Sequence, residues 1–284
     1  MITITHTIKS YAKINLNLNI VSKRKINNLH QIESLVALID LADEIKISEI
    51  RSKKHKVIFR GKYSKGIPKF NTITHLLALL EKEKIIKKKY QILVKKNIPQ
   101  KSGMGGGSMN ASNILKYLIK KNFLSLSNKE VNQTAYKVGS DVILGLEKKN
   151  SILFKNGGIG RINKKLNFYV LIVMPNFGCS TKDIFLGVKK FTKPMYFNLN
   201  KKYFNIRNLI KSDNSLEKVV FKKYPKTKKM KLFLLKLPGV IFARMTGSGS
   251  AFVAYFQYEK FAKNAAKIFE KKYKGYWYTV SKTI

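Results

Sequence analysis

At 284 residues, with 57 Lys+Arg against 15 Asp+Glu and a formal charge of +42, the chain is long enough for one large domain or two modest ones, each with its own core. Its 44% hydrophobic content excludes a disordered chain, and a single cysteine, Cys179, excludes an internal disulfide. The charge first suggests nucleic acid or an anionic membrane, but Lys travels with Asn and Ile through almost every segment, so it reads as compositional drift with no specific nucleic-acid partner.

Met1 to Tyr11 alternates Ile and Thr and lacks the roughly 7–15-residue apolar core of a signal peptide. No apolar run approaches the ~18 residues of a membrane span. A cytoplasmic protein with no membrane partner is expected.

Ile14, Leu16, Leu18 and Ile20 alternate with Asn15, Asn17 and Asn19, which predicts a strand over 13–20. Lys13 and Asn15 project from its polar face, which on periodicity alone reads as solvated. Strand-like runs follow at Leu35–Ile39, Ile45–Ile47 and Val57–Phe59. After a polar loop, Ile73, Leu76, Leu77 and Leu80 mark a helix with Asn71 or Thr72 as its N-cap.

Tyr90, Ile92 and Val94 alternate as a strand, and Ala111, Ile114, Leu115, Leu118 and Ile119 recur as a helix starting near Ser108. Between them lies Pro99-Gln100-Lys101-Ser102-Gly103-Met104-Gly105-Gly106-Gly107-Ser108-Met109. Packing does not ask for four glycines in five positions. Glycine turns successive backbone N–H groups into one concavity, and the amides of the next helix's first turn favour a phosphate there. Ser108 then either caps the helix or touches a phosphate or its metal ion. No Walker A loop and no dinucleotide fingerprint is present.

Ser127-x-x-Glu130 is a capping box for a helix ending near Gly139. Asp141, in Gly139-Ser140-Asp141-Val142, reads by itself as a turn or cap residue. Beyond Gly157, Gly158 and Gly160 come a strand over Phe168–Met174, a helix after Ser180-Thr181, and helices around Leu216–Phe221 and Met230–Leu235. Strand Ile241–Met245, loop Thr246–Ser250, strand Ala251–Gln257, helix Glu259–Tyr273 and strand Tyr276–Ser281 complete the chain. Without the inserted segment that carries the helices around Leu216–Phe221 and Met230–Leu235, the order is β-α-β-β-α-β, the split pattern of ferredoxin-like domains.

The pattern P-x-x-x-G-[LM]-G-G-G-S-x-N-A at Pro99–Ala111 resembles the ATP loop of the GHMP kinases, a family of small-molecule kinases. Tyr11–Leu16 with Leu29-His30 resembles its opening motif, Gly139–Val142 its catalytic element, and Ala243–Ser250 its third glycine signature. The resemblance implies an α+β, two-domain GHMP kinase fold. Residues 1–160 would form an ATP-binding domain of the ribosomal protein S5 domain 2-like type, and 161–284 a ferredoxin-like domain.

By the same resemblance, Asp141 and Lys13 are catalytic, and Pro99–Met109 with Asn71 hold ATP together with Mg²⁺. Asn15, His30, Lys96 and Thr181 bind the acceptor. The implied reaction phosphorylates the 2-hydroxyl of 4-diphosphocytidyl-2-C-methyl-D-erythritol, in non-mevalonate isoprenoid synthesis, by a monomer or homodimer. Leu29 departs from the pattern, since it stands where the family carries a tyrosine that holds the cytosine. Two rivals remain open: a homoserine or mevalonate type of small-alcohol kinase, and a basic RNA-binding protein on the same fold.

Overall fold

The computed structural model describes residues 7–23 and 29–284; Met1 to His6 and Asn28 of the sequence reading lie outside them. In chain order the elements are β1 (Thr7–Asn15), β2 (Asn19–Lys23), β3 (His30–Ile50), β4 (Lys56–Arg60), α1 (Thr72–Lys82), β5 (Lys89–Lys95), α2 (Gly106–Lys120) and α3 (Asn128–Val138). There follow a short 3-10 helix (Ile143–Leu146), β6 (Asn150–Leu153), β7 (Ile159–Ile162), β8 (Tyr169–Met174), α4 (Thr181–Leu186), α5 (Ile206–Lys211), α6 (Glu217–Lys223) and α7 (Pro225–Leu235). The last are β9 (Val240–Met245), β10 (Phe252–Phe256), α8 (Glu259–Lys272) and β11 (Trp277–Lys282).

Two compact units each draw on separated stretches. The first holds the chain up to Ala12, Leu41–Gln100 and Gly105–Lys148; the second holds Lys13–Asp40, Lys101–Met104 and Lys149–Ile284. The division expected between 160 and 161 falls inside the second.

In the first unit, β4 runs parallel to β5, and β5 runs antiparallel to Glu44–Ile50 of β3, with Ile45 opposite Val94 and Ile47 opposite Ile92. These four side chains are buried, as their period of two requires. α1 buries Ile73, Leu76, Leu77 and Leu80, and α2 buries Ile114, Leu115 and Leu118. Asn71 is the cap of α1: its Oδ1 accepts from Ile73 N at 3.0 Å and Thr74 N at 3.3 Å, and the Thr74 hydroxyl accepts from Asn71 N at 2.8 Å. α3 starts with the expected Ser127–Glu130 capping box.

The second unit contains an antiparallel sheet in the order β11-β8-β10-β9. The first strand of the split pattern thus lies between the last and the third, which is the ferredoxin-like arrangement. α8 buries Ala262, Ala265, Ala266 and Phe269 in one core with Leu171, Val173, Phe252 and Ala254.

Two expectations change, and a hairpin appears that periodicity did not predict. The strand over 13–20 is broken at Leu16–Leu18, because Leu35 N donates to the Asn17 side chain at 2.7 Å and Leu18 N to Asp213 O at 3.0 Å. A side-chain oxygen replaces a ladder carbonyl there and turns the strand. Leu35–Ile39 and Ile45–Ile47 prove to be parts of one 21-residue strand, β3. The glycines at 157, 158 and 160 belong to a hairpin, β6–β7, in which Phe154 N donates to Gly158 O at 2.9 Å and Gly157 takes φ 89°.

Candidate active site

In the first unit the glycine run opens α2. The helix begins at Gly106, two residues before the sequence expectation, with Gly105 as its N-cap at φ 68°. Ser108 is therefore not the cap and lies within the first turn. Glycine at the cap brings no capping side chain to the first-turn amides, an arrangement that suits an anion.

Three segments converge on this turn. A Cβ at Gly107 would lie 2.8 Å from Thr72 Oγ1, and a Cβ at Gly139 would lie 4.0 Å from Thr72 Cγ2. Thr72 thus stands between the glycine loop and the turn that carries Asp141, two residues beyond Gly139. That turn is braced from below, since a Cβ at Gly145 would come within 2.9 Å of Ser112 Oγ and 3.1 Å of Met109 Sδ. Asp141 is half-buried, while Met109 is fully buried.

The approach to the loop is fixed from β5. Pro99 is buried, and Gln100 Nε2 donates to Tyr63 O and Lys65 O, each at 2.9 Å. Lys96 is buried, and its ammonium pairs with Asp43.

In the second unit, Lys101–Met104 lies against the Thr246–Ser250 turn. A Cβ at Gly103 would sit 2.0 Å from Thr246 O, and one at Gly247 2.9 Å from Gly103 O. Ser250 N donates to Lys101 O at 3.2 Å and Ala251 N to Ser102 O at 3.3 Å. Lys13 N donates to Met104 O at 3.1 Å.

The polar face carrying Lys13 and Asn15 is not solvated: the two residues are 4% and 5% exposed. Asn15 Oδ1 accepts from Lys13 Nζ at 2.7 Å and from Gly247 N at 3.0 Å, and Asn15 N donates to Thr246 Oγ1 at 3.0 Å. Asn15 Nδ2 donates to Ser34 Oγ at 2.8 Å. Each polar group of the face thus finds a buried partner, as burial demands.

The Thr246 turn has supports that the sequence reading missed. Asn214 Nδ2 donates to Met245 O at 2.9 Å and Gly247 O at 2.8 Å. Glu217 accepts from Met245 N at 2.8 Å, and burial raises its pKa although Lys231 beside it opposes the shift. The one sequence signal is that Asn214-Ser215-Leu216-Glu217 resembles an Asn-Asp-Leu-Glu element of the GHMP kinases with the aspartate replaced, and it carries no geometry.

At the start of β3, the His30 ring meets Phe185 at 5.4 Å and Phe191 at 6.3 Å between centroids. Burial, then the charge of Lys23, lowers the His30 pKa, so the ring is neutral near pH 7 and offers one donor and one acceptor. Leu29 is 61% exposed. Thr181 opens α4, and its hydroxyl lies 2.8 Å from Ser248 Oγ.

Each unit therefore presents backbone shaped by glycine with polar groups fixed around it. An arrangement of this kind binds phosphate through main-chain amides. Among the described residues no group of three or more His, Cys, Asp or Glu could hold a metal ion.

Comparison with known proteins agrees across the chain. The family model of the GHMP kinases N terminal domain matches residues 71–148, and that of the GHMP kinases C terminal matches 200–275. A 4-diphosphocytidyl-2-C-methyl-D-erythritol kinase of Pelagibacter ubique is 46% identical over 278 residues, covering 98% of both chains. The protein of the same description from Clostridium tetani is 32% identical over 98% of this chain and 99% of its own. Among solved structures, a 4-(cytidine 5'-diphospho)-2C-methyl-D-erythritol kinase superposes with a TM-score of 0.75 at 22% identity, covering 98% of this chain and 99% of that one. A homoserine kinase from Cytophaga hutchinsonii gives 0.71 at 16% identity, covering 100% and 96%.

Proposed function

The chain belongs to the GHMP kinases, and we propose on that basis that it transfers the γ-phosphoryl group of ATP to the 2-hydroxyl of 4-diphosphocytidyl-2-C-methyl-D-erythritol. The geometric observation that carries the reading is the glycine-opened first turn of α2, set beside Thr72 and the turn bearing Asp141. The acceptor follows from the 46% identity with the Pelagibacter ubique protein over nearly its whole length.

Phosphoryl transfer needs positioning, charge neutralisation and a destination for the acceptor proton. The amides of Gly106–Ser108 receive phosphate oxygens, and Asn71 faces the nucleotide base from the cap of α1. Mg²⁺ bound with the nucleotide would supply charge neutralisation at the phosphates, beside the Ser108 hydroxyl in the first turn of α2. Asp141 takes the proton of the acceptor hydroxyl, a role worth about 10²–10⁴-fold in rate. Lys13 stabilises the developing alkoxide, its ammonium held in place by Asn15 Oδ1.

The cytosine rests at His30, Thr181 lies along the acceptor, and Phe185 and Phe191 supply the flat apolar faces that Leu29 cannot. This accounts for a leucine at a position where the family carries tyrosine. Among the described residues no helix is long and apolar enough to cross a membrane; we place the enzyme in the cytoplasm, as a monomer or homodimer.

ADP release measured with ATP and each of 4-diphosphocytidyl-2-C-methylerythritol, homoserine and mevalonate tests the assignment. The cytidyl ester is the expected acceptor. Preference for an alcohol without cytidine would replace it with the small-alcohol rival. No turnover with any acceptor, joined to RNA binding that survives physiological salt, would favour the RNA-binding rival over mere charge attraction.

A further inference from the structure

One buried carboxylate of the first unit has no part in the roles given above. The Asp43 side chain is 0% exposed, and it sits on β3 at the point where β5 leaves for the glycine loop. Its Oδ1 accepts from Asn97 N at 2.8 Å and Ile98 N at 2.9 Å. Its Oδ2 accepts from Asn110 Nδ2 of α2 at 2.8 Å and from the Lys96 ammonium. Four donors from both ends of the glycine loop meet on one group.

The position of the ammonium is the informative part. A Cβ at Gly106 would lie 3.3 Å from Lys96 Nζ and 3.1 Å from Ile98 Cγ2, so the cation is stored against the first residue of α2. That is an unfavourable place for it, since the N-terminus of a helix carries about half a positive charge of its own. A lysine with a four-carbon stem would ordinarily swing its charge toward water. The carboxylate on its far side prevents this and offsets the cost of burying it.

We propose that Asp43 is a positioning residue for nucleotide binding: it fastens both ends of the glycine loop and holds the Lys96 ammonium beside the first turn of α2, where cation and amides act on the same phosphate. The inference rests on the kinase reading and moves Lys96 from the acceptor, where the family resemblance put it, to the nucleotide phosphate, because its ammonium is buried against Asp43 and Gly106. It concerns how the loop is prepared for the nucleotide and leaves the proton transfer at Asp141 untouched.

The test compares MgATP affinity by calorimetry, together with KM for the cytidyl acceptor, in the wild-type protein, Asp43→Asn, Lys96→Met and the double variant. The expected result is MgATP binding weakened at least fivefold in each single variant, acceptor KM within twofold of wild type, and a double variant no weaker than the worse single. Non-additivity of that kind marks two groups acting as a unit. Losses that multiply would overturn the proposal, as would MgATP binding weakened less than fivefold in a folded variant.

Asp43→Asn leaves a buried ammonium without its anion and could fail to fold; the double variant then decides. In it the carboxamide oxygen introduced at position 43 still accepts from Asn97 and Ile98, and the carboxamide nitrogen can donate to Asn110 Oδ1, a buried oxygen with no hydrogen-bond partner. A folded double variant that binds MgATP as wild type does would reduce Asp43 to a purely structural role; a double variant that also fails to fold would do the same. If wild-type protein neither binds MgATP nor releases ADP with the cytidyl ester, the kinase reading itself fails and the proposal with it. Normal wild-type activity with unaffected variants overturns the proposal alone.

Discussion

Gly103 and the carbonyl oxygen of Thr246 stand so close that a Cβ on Gly103 would lie 2.0 Å from that oxygen. Gly103 also has φ +76°, which L side chains rarely adopt. Both conditions act against any larger residue. Gly103→Ala should therefore lower stability by about 3 kcal/mol or more, from backbone strain and overpacking together. Urea unfolding checks this, and a variant within about 0.5 kcal/mol of wild type, the usual range of a surface substitution, would show that the two glycine turns do not pack as described.

Asp141→Asn keeps the size of the side chain and removes its ability to take a proton. Turnover should fall by at least ~100-fold while MgATP affinity and thermal midpoint stay close to wild type. Near-normal kcat would remove Asp141 from the base role.

Phe185→Ala and Phe191→Ala each delete one ring beside His30. A base–aromatic stack is worth roughly 1–3 kcal/mol, so KM for the cytidyl acceptor should rise by about tenfold or more with KM for ATP unchanged. Installing the missing aromatic by Leu29→Tyr should recover part of the loss. Steady-state kinetics with each substrate varied in turn measure all of these, and equal effects on both KM values would point to general disruption.

His30 makes a pH signature. Its folded pKa lies below the ordinary 6.5, through burial first and the Lys23 charge second. Between that lowered value and about 6.5 the unfolded chain binds more protons than the folded one, so stability falls as pH drops through this window. Above it the contribution is constant. His30→Asn should flatten the wild-type fall in thermal midpoint as pH drops below about 6.5; an identical pH profile in the variant would remove His30 as its source.

Local chemistry alone determined much of this protein. Apolar periodicity located the helices from Ile73 and Ala111 onward and the antiparallel strands of the ferredoxin-like sheet, because a period of 3.6 or 2 is a property of neighbouring residues. Four glycines in five positions identified the loop, because only backbone approaching something closely requires them. Tertiary structure decided what covers each face. Alternation at Ile14–Ile20 gave Lys13 and Asn15 a polar side without showing it to be buried. Asn15 meets Thr246 across 231 residues of sequence, and Asp43 reaches Asn110 across 67. Asp43, Thr72 and Asn214 look like ordinary polar residues until folding brings their partners within hydrogen-bond or contact distance, and pairing at such separation leaves no periodic trace in the chain.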